Sequence, residues 1–174
     1  SSGRNMASAA SSRSTKRGGT MSYHETRTEL DSHADTCVIG KECLVIHETH
    51  RFVNVVPYSD TLGGMDNKPI ISAALAYDEP MTGEVVILVV HNAILIDEMD
   101  NNLLCPMQLR MNDVKVDECP RYLADNPDDN SHSIHFPNDD NFLIPLYLHG
   151  VTSYFNTRKP TQAEYQICRQ IEMT

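Results

Sequence analysis

The 174-residue chain has no apolar run long enough to cross a bilayer, since a helical span needs about 20 consecutive apolar residues. Its longest apolar run, Val85-Val86-Ile87-Leu88-Val89-Val90, is broken by His91 and predicts a buried strand. The opening residues lack the apolar centre of a signal peptide. A soluble, cytoplasmic protein with no membrane partner is expected. No CxxC pair is present, and the five cysteines (Cys37, Cys43, Cys105, Cys119, Cys168) form an odd set. This excludes a self-contained disulfide framework and predicts reduced thiols, several of them core filler. There is no Gly-rich phosphate loop, no dinucleotide fingerprint and no internal repeat. Positive charge is scarce outside the N-terminus. Residues 1–20 hold Arg4, Arg13, Lys16 and Arg17 with no acid, so a formal charge of −10 leaves the remainder near −14. Such an acidic body is a poor match for a phosphate backbone.

What is present is a β-prone alternation. Residues 1–27 are Ser-, Gly- and Arg-rich and predict a disordered basic linker. From Thr28 to about Leu109, short β-prone runs alternate with turn signals: 37–39, 43–47, 52–56, 70–77, 84–91 and 93–96. Between them lie Gly40-Lys41, Pro57–Asp60, Gly63-Gly64 and the turn Asp78–Gly83. A short helix is predicted at Cys105–Met111, opened by Pro106 at its first turn. Beyond Asn112 two Asn/Asp clusters appear, at 126–130 and 138–141. Ser133–Phe136 and Phe142–Leu148 predict a hairpin around the second, Val151–Phe155 a strand, and Thr161–Met173 a helix.

The stretch Glu29-Leu30-Asp31-Ser32-His33-Ala34-Asp35-Thr36-Cys37-Val38-Ile39-Gly40 carries the chemistry. Apolar residues lead into an Asp-Ser pair, small or polar residues turn the chain, and a second apolar strand leaves. One carboxylate and one hydroxyl then stand at the tip of a tight loop. Amide hydrolysis by carboxylates needs two of them sharing a proton, one acting as base toward water and the other as acid. No Asp-[Ser/Thr]-Gly follows downstream, so a bilobed single chain is excluded. A symmetric homodimer with one Asp31 from each subunit is the remaining way to build the pair.

This loop resembles the Asp-[Thr/Ser]-Gly-Ala loop of retroviral and retrotransposon proteases. A second segment agrees: Ala93–Ile96 followed by Asn101-Asn102-Leu103-Leu104-Cys105-Pro106-Met107-Gln108-Leu109 is similar to the stretch closing the protease region of copia-type LTR retrotransposon polyproteins. The resemblance implies an all-β, retropepsin-like acid-protease half-barrel with one short helix over 28–112. An appended β-hairpin and helix over 113–174 would then connect toward an integrase region. It implies an aspartic endopeptidase that hydrolyses the element's own polyprotein, with Asp31 as the catalytic aspartate and Ser32 as the bracing hydroxyl. His33, Ala34 and Asp35 support the loop, and Leu62, Gly63 and Gly64 sit in a substrate-covering flap at Tyr58–Ile71. No cofactor or metal is expected, and nucleic acid is met only through neighbouring polyprotein domains.

The chain departs from the family at His33, which stands where the family has Gly. Either the loop turns the ring away from the dimer centre, or the domain is a catalytically inactive retropepsin-like dimerisation module. A different class of reading comes from the alternation of Asp31, His33, Asp35 and Cys37, which on an extended strand would share one face. His33, Asp35 and Cys37 are credible zinc ligands, with His47 and His50 or His132 and His135 available to complete a site.

Overall fold

The computed structural model describes residues 14–17, 21–56 and 65–174. In chain order its strands are β1 (Ser14–Arg17), β2 (Met21–His24), β3 (Thr26–Leu30), β4 (Val38–Ile39), β5 (Leu44–Val55), β6 (Met65–Asp78), β7 (Val85–Leu95), β8 (Asn102–Leu104), β9 (Lys115–Asp117), β10 (Ser133–Phe136), β11 (Phe142–Pro145), β12 (Tyr147–His149), β13 (Thr152–Thr157) and β14 (Arg169–Glu172). Two short helices, α1 (Pro106–Met111) and α2 (Gln162–Ile167), and a 3-10 turn at Arg121–Leu123 complete the set. The all-β character expected from the sequence stands. Among the described residues no barrel is closed; the strands form one nine-stranded sheet, a three-stranded sheet and a two-stranded hairpin.

The large sheet runs β12-β13-β3-β8-β4-β7-β6-β5, with β14 added in parallel along β7. Its middle is a crossing of short strands. β3 pairs in parallel with β8, and β4 lies between β8 and the far end of β7, antiparallel to the first and parallel to the second. The loop 31–37 connects the two strands that flank β8.

Local chemistry explains most of these elements. β7 is β-branched and buried on both faces. Val86, Leu88 and Val90 join the main core with Leu30, Ile39, Leu104 and Phe155, while Ile87 and Val89 pack on the other face with Ala74 and Ala76. At about 25 cal/mol per Å² of apolar area, such two-sided burial is the main force holding the sheet together. The turn between β6 and β7 closes where Asp78–Gly83 predicts it, with Gly83 at φ 76°, a conformation that suits a residue without Cβ. The β10–β11 hairpin turns through Asp140 and Asn141, at φ 55° and 57°, residue types that tolerate the left-handed region. α1 begins at Pro106 as expected, and α2 is opened by a reciprocal capping box between Thr161 and Glu164.

Three expectations change. Part of the segment read as a linker pairs as a hairpin, Ser14–Arg17 with Met21–His24. The helix predicted for 161–173 stops at Ile167, because Ile171 and Met173 alternate into the core beside β7 and the chain there is worth more as a strand. The segment 113–174, set apart in the sequence as a connector, shares the sheet and the core. β13 pairs antiparallel with β3, Tyr154 opposite Glu29, and Ile134, Phe136, Ile144, Phe155 and Ile171 are buried with the residues of 28–112. Tyr77 bridges the two parts, its ring edge-on to both Phe142 and Phe155 at centroid distances of 6.0 Å. No helix among the described residues is long and apolar enough to cross a membrane.

Candidate functional site

Asp31 sits at the C-terminal end of β3, where the strand gives way to a turn. Its backbone N–H donates to the Leu104 carbonyl of β8 at 2.9 Å, so the position is an extension of the β3–β8 ladder. The Asp31 carbonyl accepts from the Ala34 N–H at 3.2 Å, and the His33 N–H donates to Asp31 Oδ1 at 3.0 Å. This Asx turn aims the carboxyl over its own loop. The group is half-buried; Ser32, His33 and Asp35 are exposed.

Behind the turn the supports are buried. The Cys37 N–H donates to Gln108 Oε1 of α1 at 2.7 Å, and the Cys105 N–H donates to Cys37 Sγ at 3.2 Å. The Cys37 carbonyl accepts from the Ile94 N–H at 2.9 Å. Asn102 joins the two halves: its Oδ1 accepts from the Gly40 N–H at 2.9 Å, and its Nδ2 donates to Thr28 Oγ1, 2.8 Å from Thr157 Oγ1 of β13. Buried polar groups of this kind are satisfied or costly, so the network fixes how β3, β4, β8 and β13 meet beneath the loop. Gly40 is required by space. A Cβ there would lie 2.5 Å from the Met99 carbonyl oxygen and 2.8 Å from that of Asn101, both backbone atoms. Gly40→Ala is expected to cost about 1–3 kcal/mol, measured as a lower urea midpoint with an unchanged slope.

In front of Asp31 lies an open cleft of about 820 Å³, lined by the 31–36 loop, Val38, the end of β5 with Val56, Ile94 and Leu103. Much of its lining is apolar, from Ala34, Val38, Val53, Val55, Val56, Ile94 and Leu103, with Asn54 the polar lining residue outside the 31–36 loop. β5 and β6 close on each other as far as Val55 and Met65. Residues 57–64, including the expected flap residues Leu62, Gly63 and Gly64, lie outside the described residues.

Asp31, His33, Ala34 and Asp35 therefore share the cleft wall, while Ser32 occupies the exposed tip of the turn. The shared face expected of Asp31, His33, Asp35 and Cys37 does not form, because 31–37 is a turn and not a strand. Cys37 points inward and is fully buried, and burial pushes its thiol up to about 12. A thiol in that state is neither a nucleophile nor a metal ligand at neutral pH. The histidine pairs do not meet it. His132 is buried with Nε2 2.9 Å from Ser153 Oγ, and His47 and His50 stand exposed on β5. No group of three or more His, Cys, Asp or Glu side chains placed to hold a metal ion occurs among the described residues.

Sequence reasoning singled out the stretches that hold Gly40, Ile94, Asn102, Leu103 and Gln108 but assigned none of them an individual role, and it missed Val53 and Val55 in the cleft lining. Asn102 and Gln108 lie within the second segment singled out in the sequence, but nothing local distinguishes their inward amides from solvent-facing ones. Comparison with protein-family models, with curated proteins and with solved structures finds no match to this chain.

Proposed function

We propose that this chain is one half of an aspartic endopeptidase of retropepsin type, from a retrotransposon polyprotein, completed when two copies meet at the 31–36 loop. The observation that carries this reading is the position of Asp31. It is a half-buried carboxyl at the end of a central strand, held by main-chain hydrogen bonds on both sides, on the wall of a cleft large enough for several residues of extended peptide. A single carboxylate cannot act as both base and acid. Two brought into contact cannot both ionise cheaply, so they share a proton and titrate as a pair. One then takes a proton from water as it attacks the peptide carbonyl, and the other delivers a proton to the departing amine. The apolar walls suit bulky side chains flanking the scissile bond, and the main chain at the end of β5 offers partners to a substrate strand.

The test is cleavage of an extended peptide library at acid pH as a function of protein concentration. Specific activity is expected to rise with concentration and to saturate once the dimer forms. Cleavage strictly proportional to protein at every concentration sinks the shared dyad.

A second reading, a dimerisation module without peptidase activity, is favoured by one feature, the ring of His33 at the position where the resembled family has no side chain. It predicts the same self-association with no acid-range cleavage.

A further inference from the structure

We propose that Gln108 is a positioning residue for Asp31, holding the 31–37 loop from beneath without touching substrate; the inference rests on the peptidase reading of that carboxyl. Residues 104–108 hold both ends of the loop. At its start the Asp31 N–H donates to the Leu104 carbonyl at 2.9 Å. At its end the Cys105 N–H donates to Cys37 Sγ at 3.2 Å, and the Cys37 N–H donates to Gln108 Oε1 at 2.7 Å. β8 pairs with β4 at Leu103 and Val38, and past Leu104 the chain turns into α1. A backbone N–H here needs an acceptor, and the Gln108 amide takes over that role where the strand has ended.

The helix that carries Gln108 is itself tied down. Pro106 and Leu109 are buried, Arg110 Nη2 donates to the Val116 carbonyl of β9 at 2.9 Å, and Asn112 Nδ2 donates to the Glu172 carbonyl of β14 at 3.0 Å. Between the two anchored ends lies the turn, with the His33 N–H on Asp31 Oδ1 and the Ala34 N–H on the Asp31 carbonyl. Without the bond at Cys37 the far end of the loop is released, and the turn that aims the carboxyl shifts with it. Gln108 is not among the residues lining the cleft. Its loss therefore falls on the placement of Asp31 against its twin and not on peptide binding. Misplacing reacting groups by about 1 Å costs on the order of 10²-fold in rate.

Two variants separate the acceptor from the bulk of the side chain. Gln108→Met keeps the length and removes the oxygen; Gln108→Glu keeps an oxygen at the same reach. Amide hydrogen exchange on the intact protein reads the loop itself. In Gln108→Met the His33, Ala34 and Cys37 N–H groups are expected to exchange about tenfold faster, and in Gln108→Glu to stay within about threefold of wild type. Cleavage at protein concentrations where specific activity has saturated reads the consequence. In Gln108→Met kcat is expected to fall about 10- to 100-fold with KM within about twofold of wild type, and Gln108→Glu is expected to recover most of the loss. Loop amides indifferent to Gln108→Met, equal losses in the two variants, or a change confined to KM overturns the proposal. Faster loop exchange in Gln108→Met together with cleavage that ignores Asp31→Asn leaves Gln108 as the residue that holds the loop and removes the dyad.

Discussion

Asp31→Asn is expected to lower peptide cleavage by about 10²–10⁴-fold, the usual contribution of a positioned acid–base group, while leaving the fold unchanged. The amide is isosteric with the carboxyl, and its oxygen still accepts the His33 N–H that Asp31 Oδ1 accepts now. The bond from the Asp31 N–H to Leu104 is main-chain and indifferent to the substitution. Loss of activity with an unchanged urea midpoint therefore separates chemistry from structure. Mixing gives a stronger check. Excess Asp31→Asn protein added to wild type should suppress activity as mixed dimers form, because a pair with one carboxyl and one amide has no proton to share. Activity that merely dilutes in proportion to wild-type protein would mean each subunit acts alone.

The part of this site that could be read in the sequence is the part that is local. An Asp-Ser pair between two apolar runs announces a loop at a strand end, and Pro106 announces the helix that supports it. The turn at 78–83 and the hairpin around Asp140-Asn141 follow from residue types that tolerate their backbone angles. What could not be read is set by pairing at long range. Nothing in Thr152–Thr157 names β3 as its neighbour, yet Tyr154 lies opposite Glu29 and the Thr157 hydroxyl meets that of Thr28. The wall of the cleft has the same character, since Val53 and Leu103 come to line it together only after β5 and β8 take their places in the sheet. Periodicity also misleads where the chain turns. The alternation from Asp31 to Cys37 is genuine in the sequence but has no face to occupy, because the residues form a turn and the last of them is core.

The late segment bears on the strand that leads to Asp31 through one buried cation. Arg158, just past β13, is 2% exposed and grips two acids: Nε and Nη2 donate to Asp78 at 2.8 and 3.1 Å, and Nη1 and Nη2 donate to Glu164 at 2.8 and 2.7 Å. Its main chain also exchanges hydrogen bonds with Ala76 of β6. This clip joins the end of β6, the end of β13 and the first turn of α2. Arg158→Leu is expected to cost about 3 kcal/mol, because breaking a buried pair strands its partners, here two carboxylates left facing each other. The further changes Asp78→Asn and Glu164→Gln should recover much of that loss. Hydrogen bonds from Arg158, with help from the Thr161 cap and against the effect of burial, hold the Glu164 carboxyl down at about 2 from an ordinary 4.5. A depressed carboxylate stabilises fully above its ordinary range, and that contribution is lost as pH falls toward the folded value. Wild-type stability should therefore decline steeply between about pH 4.5 and pH 2, and Arg158→Leu should flatten that limb, as urea midpoints across the range would show. Equal slopes in the two proteins would mean the clip is not what acid dissolves. Because the carboxyl stays ionised down to about 2, the clip remains closed through the acid range in which a shared-proton dyad would operate, and β13 keeps its hold on the strand that carries Asp31.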